Sequence, residues 1–423
     1  MRSASVWQRV LGLVHTVIEE IDFDEDREVL EVRVRPRKGA RRRCGRCARR
    51  GPWYDRGDGE RRWRGLDLGT LQVHLVADGD RVNCPVHGPT VVQFPWARHG
   101  ARHSRDFEDT VAWLAVHTSK SAVVQFLRMG WRAVGTVIGR VSAEREATVD
   151  RFANLRRIGI DEISYKRGFK YLTAVVDHDS GRLVWAGVGR TDATLHGFFD
   201  LLGDEGCAQI THVSADSADW IERVVATRCA HAVMCADPFH VVKWANDALE
   251  QLRRQRWNEA RGGQNRSGSD RRRGRHPTVH PLKKVKYALV KNPENLTGKQ
   301  HRQLEWVMKT DEQLWRAYLL KEGLRHVFEL GGEEGKEALD HWISWARRCR
   351  IPVFVELARK VVRHRAAIDA ALDHGLSNAL SESTNTKIRL LTRVAFGFHS
   401  ADALIGLAML ALGGLCPPLP GRA

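Results

Sequence analysis

The chain has 423 residues, enough for two or three domains with hydrophobic cores. Its formal net charge of +17 and isoelectric point near 9.9 make it a polycation that phosphate backbones attract, although a basic protein with no DNA partner would show the same charge. The longest apolar stretch, 401–415, is shorter than the roughly 20 residues of a membrane span, so we predict a final core helix and no membrane partner. The eight cysteines, most of them without paired spacing, and the absence of a signal segment predict a reducing cytoplasm.

The amino-terminal region, 1–98, contains four potential metal ligands in two closely spaced pairs. Cys44 and Cys47 form the first pair, and Cys84 and His87 form the second. Each pair can bind a metal from a tight turn, and because protein would fill all four positions, we predict one structural zinc ion in a zinc-ribbon-like module. A disulfide is the alternative, but it requires an oxidising compartment. Three other histidines are alternatives to His87 as the fourth ligand: His74, His99 and His103.

Arginines are dense around this predicted zinc module, with glycines between them. Such a segment cannot bury itself, so we interpret it as a loop that follows DNA phosphates, with a merely solvated charge run as the alternative. The residues predicted to contact DNA here are Arg41, Arg42, Arg43 and Arg46.

The region 99–152 has the apolar period of helices. A segment at 121–127 and a second that begins at Trp131 are separated by Gly130, which is the pattern of a helix-turn-helix. The second helix would present Arg132 to DNA. Three small helices packed only for stability would produce the same pattern.

The region 153–237 has the pattern of a mixed sheet. Its predicted elements, in order, are strands at 158–160, 169–176 and 183–188, a helix at 193–202, and strands at 210–214 and 231–236. The first two strands are joined by a turn and form a hairpin. The order of three strands, a helix and a strand is that of a five-stranded, ribonuclease-H-like sheet, in which the fourth strand lies beside the first.

Acidic residues follow three of these predicted strands. Asp161 follows the first and Asp216 follows the fourth, so their carboxylates would meet. Asp237 follows the last strand, which lies further from the first, and we therefore prefer Asp216 as the partner of Asp161. Such carboxylates, completed by Glu382, can hold two divalent cations.

The region 238–375 has no strand alternation and contains long helical stripes, so we predict an all-helical insertion into the sheet domain. Most of its tryptophans have helical spacing and predict core packing. A loop-like break at 262–281 is rich in arginine, glycine and serine. The residues predicted to contact DNA in this break are Arg271, Arg272 and Arg273.

The last region, 376–423, is predicted to be the second part of the ribonuclease-H-like catalytic domain. It begins with a predicted helix that starts near Ser377, is capped by Ser381 and carries Glu382. Polar residues at intervals of three or four lie on one face, where Glu382 would bind a cation. The residues predicted to neutralise or grip phosphates beside it are Asn385, Lys387, Arg389 and Arg393. A plain amphipathic helix with a polar outer face explains the periodicity equally well.

Four segments resemble the ISL-three family of bacterial insertion-sequence transposases. They are GIDEIS (159–164), ADPFHVVKWANDALEQLRR (236–254), LVKNPENLT (289–297) and ESTNTKIRLLTRVAFGF (382–398). The resemblance covers nearly all of the chain and implies a DDE active site with Asp161 as the first acid and Glu382 as the last. Both Asp216 and Asp237 match family positions for the middle acid. Asp237 and His240 also resemble the Cys/Asp-x-x-His motif that follows the second acid in related transposases, and are secondary candidates.

The resemblance implies a multidomain α/β enzyme that binds double-stranded DNA at terminal inverted repeats, cleaves the ends and joins them to target DNA. Two magnesium or manganese ions per active site, a homodimer or larger assembly on DNA, and a bacterial, nucleoid-associated location are the further expectations. A non-catalytic, transposon-derived repressor and a structure-selective nuclease of the same fold are the alternatives. The presence of all three acids argues against the repressor, and the two amino-terminal DNA-binding modules argue against the nuclease.

Overall fold

The structure is a computed structural model that describes residues 3–166, 168, 170–215, 219–266, 279–395, 397–398 and 400–422. The chain forms two compact units. Met1–Arg151 and Lys387–Ala423 make up the first unit, and Phe152–Thr386 make up the second.

The first unit begins with two small sheets. Its elements up to residue 91 are α1 (Ser3–Val10), β1 (Thr16–Asp24), β2 (Val29–Pro36), β3 (Trp53–Asp55), β4 (Glu60–Arg64), β5 (Gln72–Asp78), β6 (Arg81–Cys84) and β7 (Gly88–Val91). One sheet has the order β1-β2-β5-β4, with β2 and β5 parallel, and the other has the antiparallel order β3-β6-β7. Alternate residues of β2, namely Leu30, Val32 and Val34, are buried, as the two-residue period of a strand requires.

Three helices follow in the first unit: α2 (Arg105–His117), α3 (Lys120–Phe126) and α4 (Trp131–Thr148). Serines cap the first two, because the Ser104 hydroxyl accepts from the Phe107 N–H and the Ser119 hydroxyl accepts from the Ala122 N–H. The short turn between α3 and α4 lies where the sequence predicted the turn of a helix-turn-helix.

A buried ion network ties these helices to the segment before them. The Arg98 side chain is only 5% exposed, and its guanidinium donates to Asp109 at 2.6 Å and to Glu144 at 2.7 Å. Arg98 also contacts Glu108 at 3.4 Å, and Glu108 receives a second guanidinium from Arg140. Because each buried charge has an opposite partner, the helices are held firmly to the end of the amino-terminal module.

The second unit begins with the predicted mixed sheet. Its elements are β8 (Arg157–Lys166), β9 (Lys170–Asp177), β10 (Leu183–Val188), α5 (Asp192–Gln209), β11 (His212–Ala215), α6 (Asp219–Arg228) and β12 (Val233–Ala236). The strand order is β10-β9-β8-β11-β12. The first three strands are antiparallel, β11 is parallel to β8, and β12 is parallel to β11. The predicted hairpin and the predicted placement of the fourth strand beside the first are confirmed.

The core of this sheet lies under α5 and α6. Phe198 and Phe199 of α5 pack with Ile158 and Ile160 of β8 and with Val213 of β11, and all five side chains are fully buried. Alternation along β8 sends these isoleucines to one face and Gly159 and Asp161 to the other. The face of the sheet that carries Asp161 is therefore the face opposite α5 and α6.

Helices occupy the described residues between β12 and residue 375. They are α7 (Pro238–Arg266), α8 (Val279–Lys284), α9 (Lys286–Val290), α10 (Gly298–Thr310), α11 (Glu312–Leu330), α12 (Gly332–Arg348), α13 (Pro352–Arg363) and α14 (Arg365–His374). They share one apolar core that includes Leu249, Leu320 and Phe354. The break predicted at 262–281 is too wide, because α7 continues to Arg266 and α8 already begins at Val279.

The last two helices are α15 (Ala379–Val394) and α16 (Ala401–Leu412), and α15 carries residues of both units. The predicted final core helix is α16, which packs against α2 and α4 with Leu404 and Leu407 buried. None of the helices in the described ranges combines the length and the apolar character that a membrane span needs. Ser381 is not the cap of α15 as predicted: it lies inside the helix, 2% exposed.

Candidate functional site

Cys44, Cys47, Cys84 and His87 lie together, with one ligand atom of each residue within 4.8 Å of the others. His87 Nδ1 lies 3.7 Å from the Sγ atoms of both Cys44 and Cys84, and the Cys47 and Cys84 Sγ atoms are 3.6 Å apart. A tetrahedral ion with metal–sulfur bonds of about 2.3 Å requires such separations. The cysteines are free thiols, so the disulfide interpretation is not supported. Within the described ranges this is the one group of three or more such side chains with metal-binding spacing.

Backbone N–H groups lie close to the sulfur atoms of two of these cysteines. The N–H groups of Arg46 and Val86 point at the Sγ atoms of Cys44 and Cys84, both at 3.4 Å. Burial acts to raise the pKa of the Cys84 thiol, but the backbone N–H groups of Val86 and His87, together with the side chains of His87 and Cys47, lower that pKa to about 6. The thiolate form of Cys84, which is the form that binds zinc, is therefore favoured.

Two of the alternative histidine ligands have other partners. A Cβ atom on Gly45 would lie 2.6 Å from His99 Nδ1, so His99 packs against the first cysteine turn and requires glycine there. The His103 ring stacks on Phe107, with 4.9 Å between centroids. His74 is also outside the ligand group, and burial lowers its pKa to about 4. The predicted choice of His87 is thus supported by the geometry.

Asp161 lies on β8 and is half-buried. Its Oδ1 accepts from the Glu162 N–H at 2.7 Å, and its Oδ2 accepts from Asn385 Nδ2 at 2.8 Å. Asn385 belongs to α15 and is 3% exposed. The sequence pattern predicts that Asn385 grips phosphates, but its amide nitrogen instead donates to the carboxylate of Asp161 and orients it. No local sequence signal joins these residues, which are 224 positions apart.

The close approach of α15 to β8 depends on Gly159. A Cβ atom at this position would lie 2.6 Å from Ser381 Oγ, 2.9 Å from Val176 Cγ2 and 3.0 Å from His178 Nε2. His178 is itself held by Ser214, with 2.7 Å between Nε2 and Oγ. Only glycine therefore leaves room for the helix that brings Asn385 to Asp161.

Two contacts anchor the chain on either side of residues 216–218, which include Asp216 and lie outside the described residues. Before this segment, Ala215 pairs with Ile160, the residue that precedes Asp161. After it, the Trp220 indole N–H donates to Glu162 Oε1 at 2.8 Å. Glu162 follows Asp161 directly, so both anchors lie on β8 beside Asp161.

Glu382 lies on α15 one helical turn before Asn385, and its side chain is exposed. Its backbone N–H donates to the Asn378 carbonyl at 2.9 Å. Side chains three positions apart lie on one side of a helix, about 5–6 Å apart at Cβ. The carboxylate of Glu382 is therefore available to a ligand near the Asp161–Asn385 contact.

Asp237 directly follows β12, which lies on the far side of β11 from β8, and is 2% exposed. Its Oδ1 accepts from the backbone N–H groups of Asn378 at 3.1 Å and Phe239 at 3.4 Å. Its Oδ2 lies 2.7 Å from His240 Nδ1. Asn378 is 141 positions from Asp237 in the sequence, so no local sequence pattern predicts this contact.

Most of the predicted DNA-contacting side chains are exposed. They are Arg41, Arg42, Arg46, Arg132, Lys387, Arg389 and Arg393. Arg43 is half-buried and donates to the Ala48 carbonyl at 3.1 Å. Arg271, Arg272 and Arg273 lie outside the described residues. Arg132 is the second residue of α4, at the helix end that follows the turn.

Comparison with known proteins agrees with these features segment by segment. Residues 40–87, which contain the metal-ligand group, match the zinc finger of the transposases of IS204, IS1001, IS1096 and IS1165. Residues 92–141 match the helix-turn-helix domain of transposase family ISL3. Residues 158–407, from β8 into α16, match a model described as transposase.

Individual relatives give the same result. The chain is 61% identical over 438 aligned residues to the transposase for insertion sequence element IS1557 from two strains of Mycobacterium tuberculosis, with 100% of this chain and 98% of the relative covered. It is 24% identical over 345 residues to the transposase for insertion sequence element IS1001 of Bordetella parapertussis, with 81% and 82% covered. Together with a zinc-finger segment and a helix-turn-helix, these matches define a DNA transposase. The chain belongs to the ISL3 family of insertion-sequence transposases, which confirms the resemblance found in its sequence.

Proposed function

We propose that this transposase moves an insertion sequence by a DDE reaction. It binds double-stranded DNA at the terminal inverted repeats, cleaves the element ends, and joins the liberated 3′ hydroxyls to target DNA. Asp161, Asp216 and Glu382 are the three catalytic acids. The observation that carries the proposal is the contact between Asn385 and Asp161, because it brings the helix of the last acid onto the strand of the first.

Asp216 is the middle acid in this proposal. It follows Ala215, whose partner on β8 is Ile160, and it precedes Trp220, which binds Glu162. The described residues on both sides of it thus contact the two neighbours of Asp161, which supports Asp216 as the catalytic partner of Asp161. Asp237 lies one strand further away and its oxygens already accept from other groups.

The sheet of the second unit is, in this proposal, a ribonuclease-H-like catalytic domain. Its strand order, with β11 and β12 parallel to β8 and the first three strands antiparallel, supports that assignment. The proposed catalytic domain consists of 153–237 and 376–423, and the helices of 238–375 form an insertion between the two parts. The region 1–98 is the zinc module, and 99–152 is the helix-turn-helix domain.

The three proposed catalytic acids suit hard divalent cations, because carboxylate oxygens are the ligands that magnesium and manganese prefer. When bound, two such ions would supply charge stabilisation to the attacking and leaving oxygens of phosphoryl transfer. Asn385 would hold the carboxylate of Asp161 in one orientation, and α15 would present Glu382. The four ligands of the amino-terminal group would hold one structural zinc ion.

The exposed basic residues would bind DNA in three places. Arg41, Arg42 and Arg46 surround the zinc ligands, and Arg132 opens the second helix of the helix-turn-helix. Lys387, Arg389 and Arg393 follow Glu382 on α15, so they would hold phosphates near the scissile bond. Phosphate contacts of this kind supply affinity that falls as salt rises.

The proposed function is tested with the purified protein, magnesium and labelled DNA that carries the ends of its own element. We expect cleaved ends and joined products of the element end with a target plasmid, whereas DNA with scrambled ends gives neither. Binding without any product would support a repressor. Cleavage of scrambled DNA without joining would support a nuclease.

The active form is expected to contain at least two copies of the chain. Two element ends must be cut and joined to one target at a fixed separation, which requires two active sites. The mass of the complex formed with a pair of ends, measured by light scattering, should correspond to two or more protein chains. A fully active complex of one chain and one end contradicts this prediction.

Gly159→Ala is expected to lower the cleavage rate by about 100-fold, because α15 must move away from β8 and a displacement of about 1 Å at a catalytic group has an effect of that size. The double variant Gly159→Ala/Ser381→Ala lacks Ser381 Oγ, the atom nearest to the added Cβ, so it should recover part of the cleavage rate. The matched control is Gly197→Ala in α5, where a Cβ atom meets nothing within 4 Å. Single-turnover cleavage measures all three. A fully active Gly159→Ala protein would refute the requirement for close approach.

A further inference from the structure

Asp237 occupies the point where the chain leaves the sheet for the long helical segment. It precedes Pro238, the first residue of α7, and its Oδ1 accepts from the Phe239 N–H in the manner of an N-cap. Proline at the first helical position has no N–H to satisfy, so the arrangement suits a helix start. The side chain is 2% exposed and therefore acts within the protein rather than at its surface.

The same oxygen also holds the point where the chain returns. Oδ1 accepts from the backbone N–H of Asn378, which lies 141 residues later and directly before α15. The first N–H groups of a helix lack partners within it, and the helix dipole favours a carboxylate there. One carboxylate oxygen thus binds the beginnings of both α7 and α15.

Asn378 connects this contact to Glu382. Its N–H is bound by Asp237, and its carbonyl accepts the N–H of Glu382 at 2.9 Å. Asn378 itself is fully buried, which leaves little freedom for its backbone to shift. A short chain of hydrogen bonds therefore runs from Asp237 to the backbone of the proposed last acid.

His240 fixes the orientation of the Asp237 carboxylate. Its Nδ1 lies 2.7 Å from Oδ2, and an ionised carboxylate can only accept, so Nδ1 carries the proton. With Oδ2 bound to His240, Oδ1 faces the two backbone N–H groups. Both oxygens thus accept hydrogen bonds that hold the carboxylate between the two helix starts and His240.

We propose that Asp237 is a positioning residue that sets the place of Glu382 through Asn378, with His240 as its orienting partner. It does not bind the catalytic cations. The inference rests on the proposed function, because Glu382 is the group that is positioned. In this proposal, the Asp-x-x-His sequence holds the starts of α7 and α15 where the chain leaves the sheet and where it returns.

Two substitutions of Asp237 separate positioning from metal binding. Asp237→Asn keeps an oxygen acceptor for both backbone N–H groups, so we expect cleavage to fall by only about fivefold, the equivalent of one weakened cap. Asp237→Ala removes the acceptor, and we expect a loss of about 100-fold because Glu382 is misplaced. The metal concentration for half-maximal cleavage should rise in the alanine variant and stay near the wild-type value in the asparagine variant.

Manganese binding to the full-length protein without DNA, followed by electron paramagnetic resonance, gives a second readout. Asp237→Asn should bind manganese like the wild type, whereas Asp161→Asn and Asp216→Asn should bind it much more weakly. The matched control is Asp311→Asn, because Asp311 is another buried helix cap, which accepts from the Leu314 N–H in the helical segment. This control should change neither readout.

The inference is overturned if Asp237→Asn loses manganese and activity as completely as Asp161→Asn, or if Asp237→Ala keeps wild-type values of both. Should Asp237→Ala fail to fold, as judged by circular dichroism, Asp237→Asn still decides the question. Failure of the wild type to cleave element ends would count against the proposed function alone, because the manganese comparison does not depend on cleavage.

Discussion

Asp161→Asn is expected to lower the rate of element-end cleavage by about 10,000-fold, a typical loss for a group that acts directly in catalysis. The asparagine side chain keeps the shape of aspartate and an oxygen that can accept from Asn385, so the helix α15 should stay in place. What disappears is the negative charge that a hard cation requires. Single-turnover cleavage of labelled ends measures the effect.

DNA binding should survive this substitution. In the proposed function the exposed arginines and lysines supply the affinity for DNA, and Asp161 offers no positive charge to phosphates. A gel-shift titration of the variant should therefore give a dissociation constant within about threefold of the wild-type value. Loss of binding together with cleavage would instead identify Asp161 as a structural residue.

The matched control uses the same change elsewhere on the sheet. Asp179 is exposed and pairs with Arg157, the first residue of β8, four positions before Asp161. Because an exposed ion pair contributes little, Asp179→Asn should cleave and bind at near wild-type levels. An equal loss in both variants would mean that general damage to the sheet explains the effect.

Sequence patterns were sufficient where the signal is local. Cys44 and Cys47 form one short pair and Cys84 and His87 form another, and each pair closes within a single turn. Their spacing therefore predicts the group that comes together, with other histidines as alternatives only for the fourth member. The hairpin of β8 and β9 and the return of β11 to β8 followed from the order of apolar runs and turns. In these cases, residues that are close in sequence form both the ligand pair or strand and the turn that orients it.

Long-range contacts escaped the same reasoning. Ser381 resembles an N-cap by local rules, yet the start of α15 is set by the Ser377 hydroxyl, which accepts from the Ala379 N–H at 3.4 Å, and by Asp237 from a distant strand. Ser381 is instead buried against Gly159. Tertiary packing decided the helix boundary, and no pattern within α15 contains that information.

Asn385 shows the same limitation for the active site. A polar residue on an amphipathic helix is equally consistent with solvent, phosphate or another side chain, and only the fold brings its amide to Asp161. Because α15 lies on β8, the chain needs glycine at 159 and buries the serine at 381. The residues adjacent to them in sequence do not predict either requirement. Proximity of distant segments is what the structure adds.

Loss of one zinc ligand is expected to unfold the amino-terminal module. Cys44 and Cys84 are part of the buried core of this module, and structural zinc contributes about 10–16 kcal/mol in small metal-binding modules. In Cys47→Ser, metal analysis should find less than about one tenth of the zinc of the wild-type protein. The exposed arginines at 41, 42 and 46 should then become sites of rapid cleavage by trypsin.

Cys416→Ser is the matched control, because Cys416 is a half-buried thiol of the same unit whose Sγ contacts only the neighbouring Pro417 carbonyl among the hydrogen bonds described. It should retain zinc and resist trypsin like the wild type. Manganese binding should be unchanged in both variants, since Asp161 and Glu382 lie in the other unit, whereas affinity for element ends should fall only in Cys47→Ser. A Cys47→Ser protein that keeps one zinc ion per chain, or that binds ends as tightly as the control, contradicts the assignment of the module as a zinc-dependent DNA-binding element.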